Sequence, residues 1–170
     1  NAANHSIEVL EAQAPVRIER FTLQQDSEGP GRFRGGLGLI KDYHFLDGPV
    51  NVQVGGDRTK APATGLAGGG TSVPQQYLIL RGDEHINVRS KSDVTLEAGD
   101  TFSVRMPGGG GYESPLERAI ELVLRDAQLG YISIDRARSA YGVVITPDGE
   151  VDQPATTTLR KQMGADTRAL

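Results

Sequence analysis

The chain has no cysteine and no tryptophan, and aromatic residues make up only 5% of it. Without thiols, a disulfide framework, a thiolate zinc site and a cysteine nucleophile are all excluded. There is no basic excess either: the net charge is −4 and the pI about 5.4, whereas nucleic acid or an anionic membrane surface calls for a clustered basic face. No apolar run approaches the roughly 18 to 20 residues of a membrane span, and the N-terminus lacks a basic-then-apolar leader pattern. These absences point to an acidic cytoplasmic protein with no nucleic-acid or membrane partner. The first residue is Asn1 rather than Met, and Asn1 to His5 carry no strand or cap pattern, which reads as a chain taken from something longer.

Glycine is what the chain has in abundance, at 22 of 170 residues. Five of them fall in Gly29-Pro-Gly-Arg-Phe-Arg-Gly-Gly-Leu-Gly-Leu39, and four more in Pro107-Gly-Gly-Gly-Gly-Tyr112. Such density specifies a loop geometry, through positive φ or close backbone approach. Arg32 and Arg34 sit inside the first run, two apart. In an extended segment they share a side and can clamp a carboxylate or phosphate or pin an acidic partner loop, with Gly35 and Gly36 letting a neighbour approach. The competing reading is two solvated arginines in a tight connection.

The fold expected is mainly β, with antiparallel sheets of sandwich or barrel type and a small C-terminal helical segment, hence α+β overall. From Ile7 to about Val104, short apolar alternation is broken by turn residues. Strands are expected at 16–23, 39–46, 50–54, 76–80, 85–88, 94–96 and 101–104, with 50–54 forming a hairpin with the strand before it. The triplet Arg81-Gly82-Asp83 reads as a plain hairpin turn. The glycine-rich stretch from Gly55 to Pro74 is a long irregular loop of the kind that often carries function. At Pro115 the apolar period changes to about 3.6. Ser114-Pro-Leu-Glu117 reads as a capping box opening a helix to about 129, with Leu116, Ile120, Val123 and Ala127 on one stripe and Glu117, Arg118, Glu121 and Arg125 facing water. A second helix spans 133–141 and stops at Gly142; Val143 to Ile145 is a last strand and 155–163 a terminal helix. The domain division is therefore 1–113, a β-rich body, and 114–170, a helical segment.

His5, His44 and His85 are far apart and no pair has metal-ligand spacing, so no metal is expected in this chain. His5, in the polar N-terminal segment, is free to complete a site built elsewhere. Neither a Gly-x-Ser-x-Gly elbow nor a Walker loop occurs, and no acidic pair suggests acid–base work. The residues alone give a β-rich domain with two glycine-built loops and no self-sufficient active site. Phosphate cradling by Gly108 to Gly111, ahead of a capped helix, is a weak signal.

The segments Ile7–Glu11, Pro15–Phe21, Gly31–Leu39 and Pro107–Tyr112 with Pro115 resemble the C-terminal part of the hydantoinase B/oxoprolinase family. That resemblance runs through nearly the whole chain. It implies a B-type subunit of an ATP-dependent cyclic amide hydrolase acting on a small-molecule substrate; the alternatives are a subunit of an ATP-dependent ketone carboxylase and a non-catalytic assembly module. It also implies that ATP sits on an A-type partner subunit, that a divalent metal belongs to another part of the complex, and that the remainder of the B-type subunit is a further partner. The isolated chain is then expected to be inactive. Catalytic residues are not identified, and the substrate- or partner-binding candidates are Arg32, Arg34, Gly35, Gly36, Gly108, Gly109, Gly110, Gly111 and Tyr112. Two departures stand out: Glu28 where family members usually carry glycine, and Pro62-Ala-Thr-Gly65 where they carry a Pro-Pro-Trp-Gly-like segment.

Overall fold

The computed structural model describes residues 6–168, with side chains described through Ala165; His5 therefore lies outside the described residues. The chain is a mixed α+β structure with antiparallel sheets, as its alternation predicts. Its contacts divide it into two compact units that interleave in sequence: one of 1–22, 39–61 and 75–106, the other of 23–38, 62–74 and 107–170. The sequence places its boundary at 113, whereas the structure groups both early glycine-bearing stretches with the C-terminal helices.

The first unit is a two-layer β structure. Helix α1, Ile7–Gln13, precedes strand β1, Val16–Leu23. The strand-like alternation expected from Ile7 is thus a helix at its start, because the Ser6 hydroxyl accepts from the Val9 N–H and the Leu10 carbonyl receives the Ala14 N–H. Strands β2 (Leu39–Phe45), β3 (Val50–Val54), β4 (Gln76–Arg81), β5 (Glu84–Val88), β6 (Ser92–Leu96) and β7 (Thr101–Arg105) follow. One sheet has the order β1-β2-β7-β4-β5 and the other pairs β3 with β6.

The expected β2–β3 hairpin does not form. Val50 pairs with Leu96 and Val54 with Ser92, so the strand that follows β2 in sequence belongs to the other sheet. The reason lies in what the valines need. Val50, Val52 and Val54 alternate with Asn51 and Gln53, and they join Val94 and Leu96 against Phe45, Tyr77, Ile79 and Phe102 of the first sheet. Pairing with β2 would leave that apolar face without its opposite layer. Tyr77 and Phe102 stack at 6.1 Å, and the Tyr77 hydroxyl donates to the Gly55 carbonyl at 2.7 Å, so its polar end is satisfied. Arg81 closes on Asp100 through two bonds of 2.8 and 2.6 Å, with Asp100 buried and also accepting from the Glu97 N–H. Arg81-Gly82-Asp83 is the β4–β5 turn, with Gly82 at φ 56.

The second unit is built from the three glycine-bearing loops and three helices. Ser114 does not open the long helix. Its hydroxyl accepts from the Leu116 N–H and starts a 3₁₀ turn, Pro115–Glu117, which ends at Arg118 with extended ψ 133. Helix α2 is Ile120–Gln128, with Ala119 at its N-cap and no side-chain cap bond. Helix α3, Ile134–Tyr141, is capped at both ends: the Ser133 hydroxyl accepts from Arg136 N–H at 2.9 Å, and Gly142 takes the left-handed conformation at φ 62. Val143 to Ile145 forms only an isolated bridge, Ile145 to Val151. Helix α4, Gln153–Arg168, is longer than the periodicity indicates. Val123, Ile132, Ala137, Tyr141, Val143 and Ile145 form the core of this unit.

Candidate functional site

The glycine motifs meet in the second unit. Gly29 N–H donates to the Gly109 carbonyl (2.8 Å), Gly109 N–H to Gly36 (2.9 Å), Gly35 N–H to Gly29 (2.9 Å), and Gly111 N–H to Gly70 (3.0 Å). Three loops, around residues 29–36, 64–70 and 108–113, are thereby stitched backbone to backbone. The close approach explains the composition. A Cβ on Gly35 would fall on the Gly109 carbonyl, and one on Gly111 on the Pro30 carbonyl, at separations no real side chain shows. Neither glycine is in the left-handed region, so close contact rather than turn geometry requires it. Gly36 differs: a Cβ there would meet nothing.

At the end of this junction Phe33 and Tyr112 exchange backbone bonds of 3.1 and 2.9 Å. Leu66 bridges Tyr112 from the other side. Their side chains stay in solvent: Phe33 is 58% exposed, Leu66 69% and Tyr112 49%. The Phe33 and Tyr112 rings lie 6.2 Å apart, and the Arg32 guanidinium sits 5.5 Å from the Phe33 ring while bonding Glu113 at 3.0 Å.

The two arginines of the first motif do not converge on one acid. Arg34 reaches helix α2, where Nε and Nη2 grip Asp126 at 2.9 and 3.2 Å, and its guanidinium lies 5.4 Å from the Tyr131 ring. Asp126 also accepts from Arg118 Nη2 at 2.9 Å, while Arg118 Nη1 donates to the Arg32 carbonyl at 3.0 Å. One buried carboxylate thus joins the first motif loop to the segment before α2. Burial pulls the Arg34 pKa down, but the bonds and charge of Asp126, together with the smaller influence of Tyr141 and Glu28, offset it and hold the value above the ordinary one.

Arg118, read from the sequence as facing water, is buried; it precedes α2 instead of lying on its solvent side. A second buried carboxylate, Glu28, accepts from Arg136 Nε and the Tyr141 hydroxyl, each at 3.1 Å, and its Oε2 has no partner among the described residues. Burial, and then the Glu28 charge, push the Tyr141 phenol far above its ordinary range, which keeps it protonated as a donor. Arg160 of α4 donates to the Tyr141 and Arg118 carbonyls at 3.0 and 2.8 Å.

Asp126, Glu28, Arg118, Arg136 and Tyr141 are not among the sequence candidates. Glu28 stands out in sequence only as a departure from the glycine usual in the resembling family. The others give no signal: apart from the Arg118–Asp126 bond, eight residues apart, their side-chain partners lie far away in sequence.

The tetraglycine does not fit a phosphate cradle. The Gly109 and Gly111 N–H groups are already spent on carbonyls, and the backbone is closely packed where an anion would sit. Among the described residues no three His, Asp or Glu side chains are grouped to hold a metal ion. His44 lies 3.0 Å from Thr101 Oγ1 and His85 is exposed. A hollow of about 780 Å³ lined by Leu116, Ile120, Arg160 and Lys161 contains none of the motif residues.

The motif region is thus a set of glycine loops locked by close contact, with an apolar tip and an internal arginine–carboxylate frame. The chain belongs to the hydantoinase B/oxoprolinase family, whose pattern matches residues 1–115. It is 34% identical to the putative D-/L-hydantoinase B-type subunit of Pseudomonas sp. strain NS671, over 95% of this chain and 28% of that protein. It is 36% identical to the caprolactamase beta subunit of Pseudomonas jessenii, over 88% of this chain and 27% of that protein. The crystal structure of the ATP-dependent caprolactamase from the same organism superposes with TM-score 0.81 at 34% identity, covering 92% of this chain and 28% of that one. An acetone carboxylase structure gives 0.80 at 21% identity, over 97% of this chain and 27% of that one, a likeness of fold alone. The chain therefore spans little more than a quarter of these relatives. No described helix is long and apolar enough to cross a membrane.

Proposed function

We propose that this chain is the C-terminal portion of a B-type subunit of an ATP-dependent cyclic amide hydrolase, acting in the cytoplasm in a complex whose A-type partner holds ATP. The observation that carries the reading is the caprolactamase superposition, 0.81 over 92% of the chain with 34% identity, because likeness of sequence and fold coincide there. The carboxylase alternative rests on fold likeness at 21% identity and is the weaker of the two.

On this reading the glycine loops form a rigid scaffold, with Arg34, Gly35, Gly108, Gly109, Gly110 and Gly111 holding the loops together. Arg32 and Tyr112 face the partner or substrate, and Gly36 leaves open space beside them. Chemistry, nucleotide and any divalent metal lie in other parts of the complex. The test is to combine the full-length B-type polypeptide containing this chain with its A-type partner and measure ATP hydrolysis with 5-oxoproline, hydantoin, caprolactam, or a ketone plus bicarbonate. Stimulation by a cyclic amide supports the reading. Stimulation by the ketone alone, or by none, overturns it.

A further inference from the structure

The exposed tip of the glycine junction carries three large apolar side chains that take no part in the core of the unit. Phe33, Leu66 and Tyr112 each come from a different loop, and each is between 49% and 69% exposed. Their N–H and C=O groups are all used: Phe33 and Tyr112 bond each other, Leu66 N–H donates to Gly111, and the Leu66 carbonyl accepts from Gly69 and Glu113. An incoming segment therefore cannot add a strand here and has only side chains to pack against. At the rim, Arg32 uses Nη1 on Glu113 and stacks on Phe33, while its Nε and Nη2 have no partner among the described residues. The Tyr112 hydroxyl is likewise unpartnered among them. Aromatic rings flanked by an arginine with free donors, on a base too tightly packed to rearrange, match the composition of interface anchors.

We propose that this face seats a segment of the longer B-type polypeptide, one that presents an aliphatic or aromatic side chain to Phe33, Leu66 and Tyr112 and a carboxylate to the free edge of Arg32. The proposal rests on the B-type reading above. The occupant comes from the rest of that polypeptide because the matched relatives carry nearly three quarters of their length outside the region this chain covers. A carboxylate answers the one unspent cationic fork at the rim.

The chain contains no cysteine, so Leu66→Cys places a single thiol at the centre of the face. Its maleimide labelling is followed in the 170-residue chain and in a chimera in which the chain replaces the matching segment of the Pseudomonas jessenii caprolactamase beta subunit, with peptide mass spectrometry isolating the peptide that carries the introduced thiol. The expected result is labelling slowed by about tenfold or more in the chimera, and restored by adding Arg32→Glu. Equal rates in the two proteins overturn the proposal while leaving the B-type reading in place, as does protection that Arg32→Glu does not change. Labelling of the isolated chain that slows with rising concentration makes a second copy the occupant and also overturns it. A chimera that fails to assemble where the parent protein does assemble removes the B-type reading, and the docking proposal with it.

Discussion

Asp126 shows why single buried residues matter more here than the motif arginines taken alone. It is only 5% exposed and holds the charges of both Arg34 and Arg118. Removing it strands a nearly buried guanidinium group, Arg118, and a partly buried one, Arg34. Asp126→Ala should therefore lower stability by about 3 to 5 kcal/mol, read from urea unfolding. Arg34→Lys keeps the charge but loses the two-pronged grip, so it should cost less than Asp126→Ala yet remain measurable.

The glycines give a sharper contrast. Gly35→Ala drives a methyl into the Gly109 backbone and should cost about 1 to 3 kcal/mol or more, whereas Gly36→Ala meets open space and should stay within about 0.5 kcal/mol. Equal effects at the two positions would refute the close-packing explanation. The pair is legible in sequence only as glycine density. Which glycine faces a backbone depends on a loop far along the chain, and no local pattern encodes that.

Among the elements, the strands with simple alternation are readable and their pairing is not. Val50 to Val54 announces a strand, but its partner is set by which sheet needs an apolar layer, a non-local condition. Ile7 to Glu11 alternates well enough to pass for a strand, and only the Ser6 cap marks the helix. Ser114-Pro-Leu-Glu117 has capping-box residues yet makes a single 3₁₀ turn, because Arg118 leaves the helical path to reach Asp126 and the Arg32 carbonyl.

Helix α3 follows its signals at both ends, so its caps offer a clean test. Ser133→Ala should cost about 1 kcal/mol. Gly142→Ala should cost more than that, since a Cβ at φ 62 is strained and also crowds Arg160 and Met163.

The Arg81–Asp100 pair between β4 and β7 contributes a pH dependence on the acid side. The Arg81 bond, against the opposing effect of burial, holds the Asp100 carboxyl below its ordinary value. A depressed folded value favours the ionised form in the fold, so this contribution is complete above the unfolded value of about 3.9 and is lost as pH falls through the folded value. Asp100→Asn should flatten that part of the acid limb in urea midpoints measured between about pH 5 and pH 2. An unchanged acid limb would show that the pair contributes nothing to folding.

For the molecule as a whole, the sequence conveys the fold class and the family, because period-2 alternation and the two glycine motifs are local. It does not convey the division into units, in which residues 23–38 and 62–74 join the C-terminal helices rather than the β body that surrounds them in sequence. Nor does it reveal the buried frame of Glu28, Asp126, Arg118 and Arg136, whose members must meet partners as far as 113 residues away. On the reading proposed above, that frame and the glycine junction give the longer B-type subunit a rigid docking face. The most direct measurement is ATP hydrolysis by the caprolactamase complex whose beta subunit carries these 170 residues in place of its own matching segment. The account predicts that caprolactam stimulates hydrolysis in the chimera and that Gly35→Ala abolishes the stimulation while Gly36→Ala does not. An assembled chimera with no lactam-dependent hydrolysis would contradict it.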